Sequence, residues 1–173
     1  MDGGAIAVRA KEAGLAELYA TYGPGAAQLA YLLTGDKHLA EDIVQEAFVK
    51  LLGRFEHLRR QESFQAYLNR VVVNLTRKHW RRKDLERRYA TGEASLRARD
   101  TLEVRDVETS DELWAAVQQL PYRQRAAIVL RFYEDLSEHQ TAELLDCSPK
   151  AVRSLVGRAK ESLRALSEQG ALG

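Results

Sequence analysis

Between Asp84 and Ser110 the chain offers almost nothing to bury. The run DLERRYATGEASLRARDTLEVRDVETS has few large apolar residues, mixes both signs of charge and follows no strong period. Such a stretch cannot fold around a core of its own, and it is too long for a routine connection inside a compact domain. It divides the chain into two parts, each of which must bury its own apolar face. Both parts carry the helical period. Prolines occur only at 24, 121 and 149, and no alternating β-branched run is bounded by turn signals; the triplet Val71, Val72, Val73 lies inside a longer helical period. The expected fold is all-α, with two small helical domains, residues 1–83 and 111–173, joined by a flexible linker over 84–110. A chain of 173 residues that is 45% hydrophobic and 29% charged can build two such cores.

In the N-terminal part, Leu15, Leu18, Tyr19 and Tyr22 follow helical spacing, and a second segment from about Pro24 carries Leu29, Tyr31, Leu32 and Leu33. Gly35 ends that helix and Asp36 caps the next. Leu39, Ile43, Val44, Ala47, Phe48, Leu51, Leu52 and Phe55 then recur at threes and fours, the mark of a single-faced helix. Ser63 is a candidate cap for a further helix through Phe64, Tyr67, Leu68, Val71, Val72 and Leu75. After the linker, Leu113, Trp114, Val117 and Leu120 form a short helix that Pro121 stops. Ser137 and Ser148 cap two more, with Pro149 at a first helical position where its missing N–H costs nothing. The short turn LLDCS between them has helix-turn-helix spacing.

The chemistry of catalysis is absent from the pattern. There is no Gly-rich phosphate loop, no HExxH and no GxSxG. His38, His57, His79 and His139 are scattered, and Cys147 is the only cysteine, so neither a disulfide nor a cysteine-rich zinc cage can form within the chain. No enzyme, catalytic residue, metal or cofactor is expected. The first residues do not form a signal peptide, and no stretch approaches the ~20 apolar residues of a membrane helix. The expected location is the cytoplasm.

Charge is informative in its distribution rather than its sum, which is only +1. The second helix of the helix-turn-helix, Ser148 to Leu166, carries a net +4, whereas Asp111 to Asp146 carries −4. Positive charge is therefore concentrated on the helix whose N-terminal end such a unit places in a DNA groove. A second basic run, Asn69 to Arg88, has a net +6 and interleaves Asn74 and Trp80 with its arginines and lysines. It suits a single-stranded or partly melted nucleic acid, whose bases stack on aromatics or enter amide-lined pockets. Equally, Trp80 could cover core surface while the arginines solubilise a helix end, and these residues alone leave both readings open. The acidic stretch LAEDIVQEAF is free to meet a protein partner.

These stretches resemble the bacterial extracytoplasmic-function (group IV) sigma factors of RNA polymerase, in the sigma-70 family. YLLTGDKHLAEDIVQEAFVKLL is similar to regions 2.1 to 2.2, FQAYLNRVVVNLTRKHWRRK to regions 2.3 to 2.4, and LPYRQRAAIVLRFYEDLSEHQTAELLDCSPKAVRSLVGRAKESLRAL to region 4. The resemblance implies a sigma-2 helical bundle and a sigma-4 helix-turn-helix domain that bind core RNA polymerase, direct it to promoters and assist DNA melting. Asp42, Gln45 and Glu46 would dock on the clamp helices of the β′ subunit. Asn69, Arg70, Asn74, Arg77, Lys78, Trp80 and Arg81 would hold the melted minus-ten element. The second domain would bind the β flap and set Ser148, Lys150, Ala151, Arg153, Ser154 and Arg158 on the minus-thirty-five element, with Arg123, Arg125 and Arg131 on phosphates. An anti-sigma factor is a further candidate partner, as many relatives are held by one.

The chain departs from the family pattern in three places. Asp146 stands where a turn glycine is common, Lys150 to Leu155 reads KAVRSL in place of GTVKSR, and Glu138, His139 and Gln140 replace the usual acidic pair. The preference at the minus-thirty-five element is thereby left unassigned. Two other readings of the chain are a stand-alone helix-turn-helix regulator with an N-terminal sensing or dimerisation domain, and an interaction adaptor whose basic helices are merely solvated.

Overall fold

The computed structural model describes residues 3–52, 61–91 and 112–168. These residues are almost entirely helical, with no strand among them: α1 (Gly3–Thr34), α2 (Lys37–Leu52), α3 (Gln61–Thr91), α4 (Glu112–Gln118), α5 (Tyr122–Ile128), a π-helical turn Val129–Tyr133 that continues α5, α6 (Glu138–Leu145) and α7 (Pro149–Leu166). Helices α1 to α3 pack on one another as a bundle, and α5 to α7 pack as a second unit. Most of the expected linker lies outside the described residues.

The first core forms where the helical periods intersect. Leu29, Leu33, Val44, Leu51, Phe64, Leu68, Val72 and Val73 are essentially inaccessible to solvent. Aromatic contacts extend this core toward the start of the bundle: Tyr19 meets Phe48 at 4.9 Å, Tyr22 meets Phe64 at 5.1 Å, and Phe48 meets Phe64 at 6.1 Å between ring centroids. These contacts explain a departure from expectation. Rather than restarting near Pro24, α1 runs unbroken through it. Proline forfeits one backbone hydrogen bond and crowds the preceding turn. Here Leu18 and Tyr22 on one side of it, and Ala26 and Leu29 on the other, are held in the same cluster. Gly35, at φ 72°, ends α1, and its N–H donates to the Tyr31 carbonyl at 2.7 Å. The Asp36 side chain caps α2 through the Leu39 N–H at 3.0 Å.

Two boundaries on α3 also differ from the sequence reading. The helix starts at Gln61, so Ser63 lies within it, and it runs through Lys83 to Thr91. Ion pairs four residues apart, Arg82 with Glu86 at 3.4 Å and Arg88 with Asp84 at 2.8 Å, support the exposed extension without a core beneath it.

The second unit has the expected caps. The Ser137 hydroxyl accepts from the Gln140 N–H while the Gln140 side chain accepts from the Ser137 N–H, a reciprocal capping box. The Ser148 hydroxyl accepts from the Ala151 N–H at 3.1 Å. Asp146 occupies the turn glycine's place in the left-handed conformation, at φ 52°, a geometry that Asp tolerates better than most non-glycine residues.

Candidate nucleic-acid interface

Helix α3 presents two faces. Arg70, Asn74, Lys78 and Arg81 recur at spacings of four, four and three, and all are exposed. Asn69, Val73, Thr76 and Trp80 recur at four, three and four, on a face that the second unit covers. There the Asn69 amide donates to a Glu134 carboxylate oxygen at 2.7 Å, and the Thr76 hydroxyl shares a hydrogen bond of 3.1 Å with the Tyr122 hydroxyl. At the edge of this seam Arg70 reaches Glu143 and Arg77 reaches Asp146, each at 3.5 Å. The expected minus-ten set is thus split: Asn74, Lys78 and Arg81 are exposed, while Asn69, Arg70, Arg77 and Trp80 meet the second unit.

Trp80, expected to project toward DNA, is only 4% exposed in this conformation. Its ring stacks on Tyr122 at 5.8 Å and 25° between planes, with the Arg125 guanidinium 5.4 Å and the Lys83 ammonium 4.9 Å from its centroid. In this conformation it does cover apolar surface, but at a seam between domains rather than inside one.

Arg125 is likewise enclosed. It was expected on phosphate, yet it is completely buried. Its guanidinium donates to the Leu33 carbonyl at 3.2 Å, to the Gln118 side-chain oxygen at 3.0 Å and to the Leu120 carbonyl at 3.2 Å. Gln118 in turn donates to the Leu32 carbonyl at 3.0 Å. The cause lies in α1, whose last-turn carbonyls have no partner within the helix. Thr34 and Gly35 satisfy those of Ala30 and Tyr31; the second unit supplies donors for the next two. A cation at a helix C-terminus also meets the favourable end of the helix dipole. Arg123, two residues earlier, is exposed. With Arg77 and Arg81 of the first unit it lines a cleft of about 260 Å³ that also includes Tyr122 and Asp146. Arg131 is half-buried; it donates to the Leu136 carbonyl and lies 5.9 Å from the Phe132 ring centroid.

On α7, Val152, Leu155 and Ala159 face inward, and Lys150, Arg153, Ser154 and Arg158 form an exposed stripe on the other side. Arg153 pairs with Glu138 at 3.2 Å, and Arg158 donates to the Ser154 carbonyl at 3.4 Å. Ala151 is half-buried, and the exposed Ser148 serves as the cap. Leu155, at the position where the family often has an arginine, belongs to the core. On α2, Asp42, Gln45 and Glu46 share an exposed face, with Glu46 paired to Lys50 at 2.8 Å. Among the described residues no helix is long and apolar enough to cross a membrane, and no group of three histidine, cysteine or acidic side chains could hold a metal.

The sequence reading did not find the groups that meet α3 from the other unit: Glu134, Glu143, Asp146 and Tyr122. The signal that could have found the acidic ones was the −4 charge of residues 111–146 opposite the +6 of residues 69–88.

The two helical units coincide with two family models, Sigma-70 region 2 over residues 18–86 and Sigma-70, region 4 over residues 110–163. The ECF RNA polymerase sigma factor SigW of Bacillus subtilis is 32% identical over 149 residues, which cover 79% of this chain and 80% of that protein. The RNA polymerase sigma-E factor of Streptomyces antibioticus is 32% identical over 127 residues, 72% and 68% of the two chains. In fold the chain is similar to the sigma factor RpoE, solved with the anti-sigma factor NepR from Bartonella quintana, at a TM-score of 0.64, 21% identity and coverage of 88% and 95%. It is likewise similar to CnrH, solved with the cytosolic domain of CnrY, at a TM-score of 0.59, 24% identity and coverage of 91% and 90%. With two helical units matching both models in order, and relatives at this identity over most of their length, the chain belongs to the sigma-70 family, as an extracytoplasmic-function sigma factor of RNA polymerase.

Proposed function

We propose that the chain divides promoter recognition between the two exposed basic stripes, and that it acts in the cytoplasm as a non-enzymatic subunit of the polymerase. The single observation that supports this best is the separation of Arg70, Asn74, Lys78 and Arg81 from Lys150, Arg153, Ser154 and Arg158 onto different helical units. A bipartite promoter needs two readers whose spacing a linker can adjust. The α3 stripe offers cations for phosphates and an amide for an unpaired base in the minus-ten element. Arg77 and Trp80 join it when the two units part. The α7 stripe enters the major groove of the minus-thirty-five element. Asp42, Gln45 and Glu46 dock on the β′ clamp helices, which accounts for an acidic patch on a DNA-binding protein, and the second unit meets the β flap. The two solved proteins of similar fold were captured with anti-sigma factor NepR and with CnrY; a partner of that kind, covering the polymerase-binding faces, would hold this chain inactive.

The test is reconstitution with core polymerase on a fragmented genomic template from the source organism. The wild-type chain should produce new transcript starts. Asn74→Ala with Lys78→Ala should reduce open-complex formation about tenfold or more while polymerase binding persists, and Asp42→Ala with Glu46→Ala should do the reverse. Footprinting of duplex DNA by the free chain, with no promoter opened in the presence of polymerase, would instead identify a stand-alone regulator.

A further inference from the structure

Three arginines from two helical units line one cleft. Arg77 and Arg81 stand one turn apart on α3, and Arg123 comes from α5. Tyr122, Leu145 and Asp146 complete the lining, around a volume of about 260 Å³. The Asp146 carboxylate is committed to Arg77, at 3.5 Å, and keeps 82% of its side-chain surface in water. Among the described residues, Arg81 and Arg123 have no carboxylate within ion-pair reach. Tyr122 and Leu145 are buried. Burial also holds the Tyr122 hydroxyl above the ordinary tyrosine value, so the ring brings no negative charge into the cleft. Cations gathered this way repel one another unless an anion lies between them.

We infer that this cleft is a binding site for a small, multiply charged phosphate: an inorganic di- or triphosphate, or the phosphate tail of a nucleotide. Guanidinium forks match pairs of phosphate oxygens, and three of them suit a ligand with several adjacent phosphates better than one with a single phosphate. The volume falls below the ~300–1,000 Å³ of pockets that enclose drug-sized ligands, so a base and sugar would remain outside. A nucleic-acid strand is the poorer occupant. Its phosphates are separated by sugars, whereas condensed phosphates share a bridging oxygen and can meet all three guanidinium groups in one small volume. Arg77 is also recessed, with 27% of its side-chain surface exposed. Because its cations come from both units, the site is complete only while they are packed together, and a bound ligand stabilises that packing by mass action. The inference does not depend on α3 holding a melted strand.

The test is isothermal titration calorimetry of the full-length chain with sodium triphosphate, diphosphate and orthophosphate, at a constant ionic strength of about 0.15 M and without divalent cations. The wild-type chain should bind triphosphate at a single site, about tenfold more tightly than orthophosphate or better. Arg81→Ala and Arg123→Ala should each weaken triphosphate about tenfold. Asp146→Asn keeps a residue that tolerates the left-handed turn and removes the carboxylate that competes for Arg77, so it should tighten triphosphate about threefold. Arg164→Ala, at an exposed cation in the last turn of α7, should match the wild type. Circular dichroism checks that each variant is folded. Triphosphate and orthophosphate binding alike overturns the inference. So does a match of Arg81→Ala and Arg123→Ala with Arg164→Ala, and so does an Asp146→Asn chain that binds no more tightly than the wild type. ATP is the further arm. If it binds as tightly as triphosphate, the site stands with a nucleotide's tail as its ligand; if it binds more weakly, the site stands with an inorganic chain.

Discussion

Arg125→Ala distinguishes a buried bridge from a phosphate contact. The substitution removes the donors that now serve the Leu33 carbonyl, the Gln118 side chain and the Leu120 carbonyl, at 3.0 to 3.2 Å. Hydrogen bonds to a charged group contribute about 1.5–3 kcal/mol each, and acceptors left buried without a donor keep their full desolvation cost. The variant also leaves a void where a fully inaccessible side chain had been. Against these losses, the variant no longer has to bury a guanidinium, a relief of several kcal/mol. The balance is a destabilisation of about 2–4 kcal/mol, or about 6–12 °C in melting temperature at this chain length. Circular dichroism at the helical minimum measures it, with Arg123→Ala as control: that residue is exposed, and its loss should cost no more than about 0.5 kcal/mol. A phosphate contact would behave in the opposite way. Stability would hold, and the slope of log affinity against log salt for duplex DNA would fall by about one unit. An Arg125→Ala chain that melts with the wild type and loses that unit of slope would refute the bridge.

Two further outcomes follow from single side chains. Ser148→Ala should destabilise the second unit by about 1 kcal/mol through loss of the hydrogen bond to the Ala151 N–H, and Ser148→Asp should restore most of it, as read by thermal melting. His79 is held below its ordinary value, first by partial burial and then by Lys83 and Arg82, with Glu86 and Asp36 opposing. Its proton binds more readily in the unfolded chain, so this residue's contribution to stability is complete above the ordinary histidine value and is lost as pH falls from there toward the lower folded value. Melting curves at about pH 7.5 and 5.5 should therefore show a larger acid loss for the wild type than for His79→Gln, and equal losses would contradict the assignment.

Much of the architecture was legible because it is local. Ser137, Asp36 and Ser148 cap helices where they were expected to, since a cap needs only its own side chain and an N–H within the next turn. The division of α7 into a core side with Val152 and Leu155 and a basic stripe with Lys150, Arg153 and Arg158 follows from helical geometry alone. Failures occurred where a neighbour distant in sequence decides. Pro24 marks a break in any local reading, yet α1 continues because Phe48 and Phe64, from other helices, hold the aromatics that precede it. The extension of α3 past Lys83 carries little apolar period, because surface ion pairs support it.

The sequence by itself determined the helical class, the two-part division and the two basic helices, because periodicity, caps and charge runs are properties of short segments. It could not decide between a Trp80 that reads a base and a Trp80 that covers apolar surface. Tertiary structure settled that for this conformation, placing Tyr122 and Arg125 of the second unit against the ring. It also turned Arg125 from a presumed phosphate contact into a bridge to the end of α1. The physical reason is the same in both cases. A helix carries its cations and aromatics as a pattern, but whether they face water, DNA or another domain depends on which acceptors and rings the fold brings opposite, and those lie more than forty residues away.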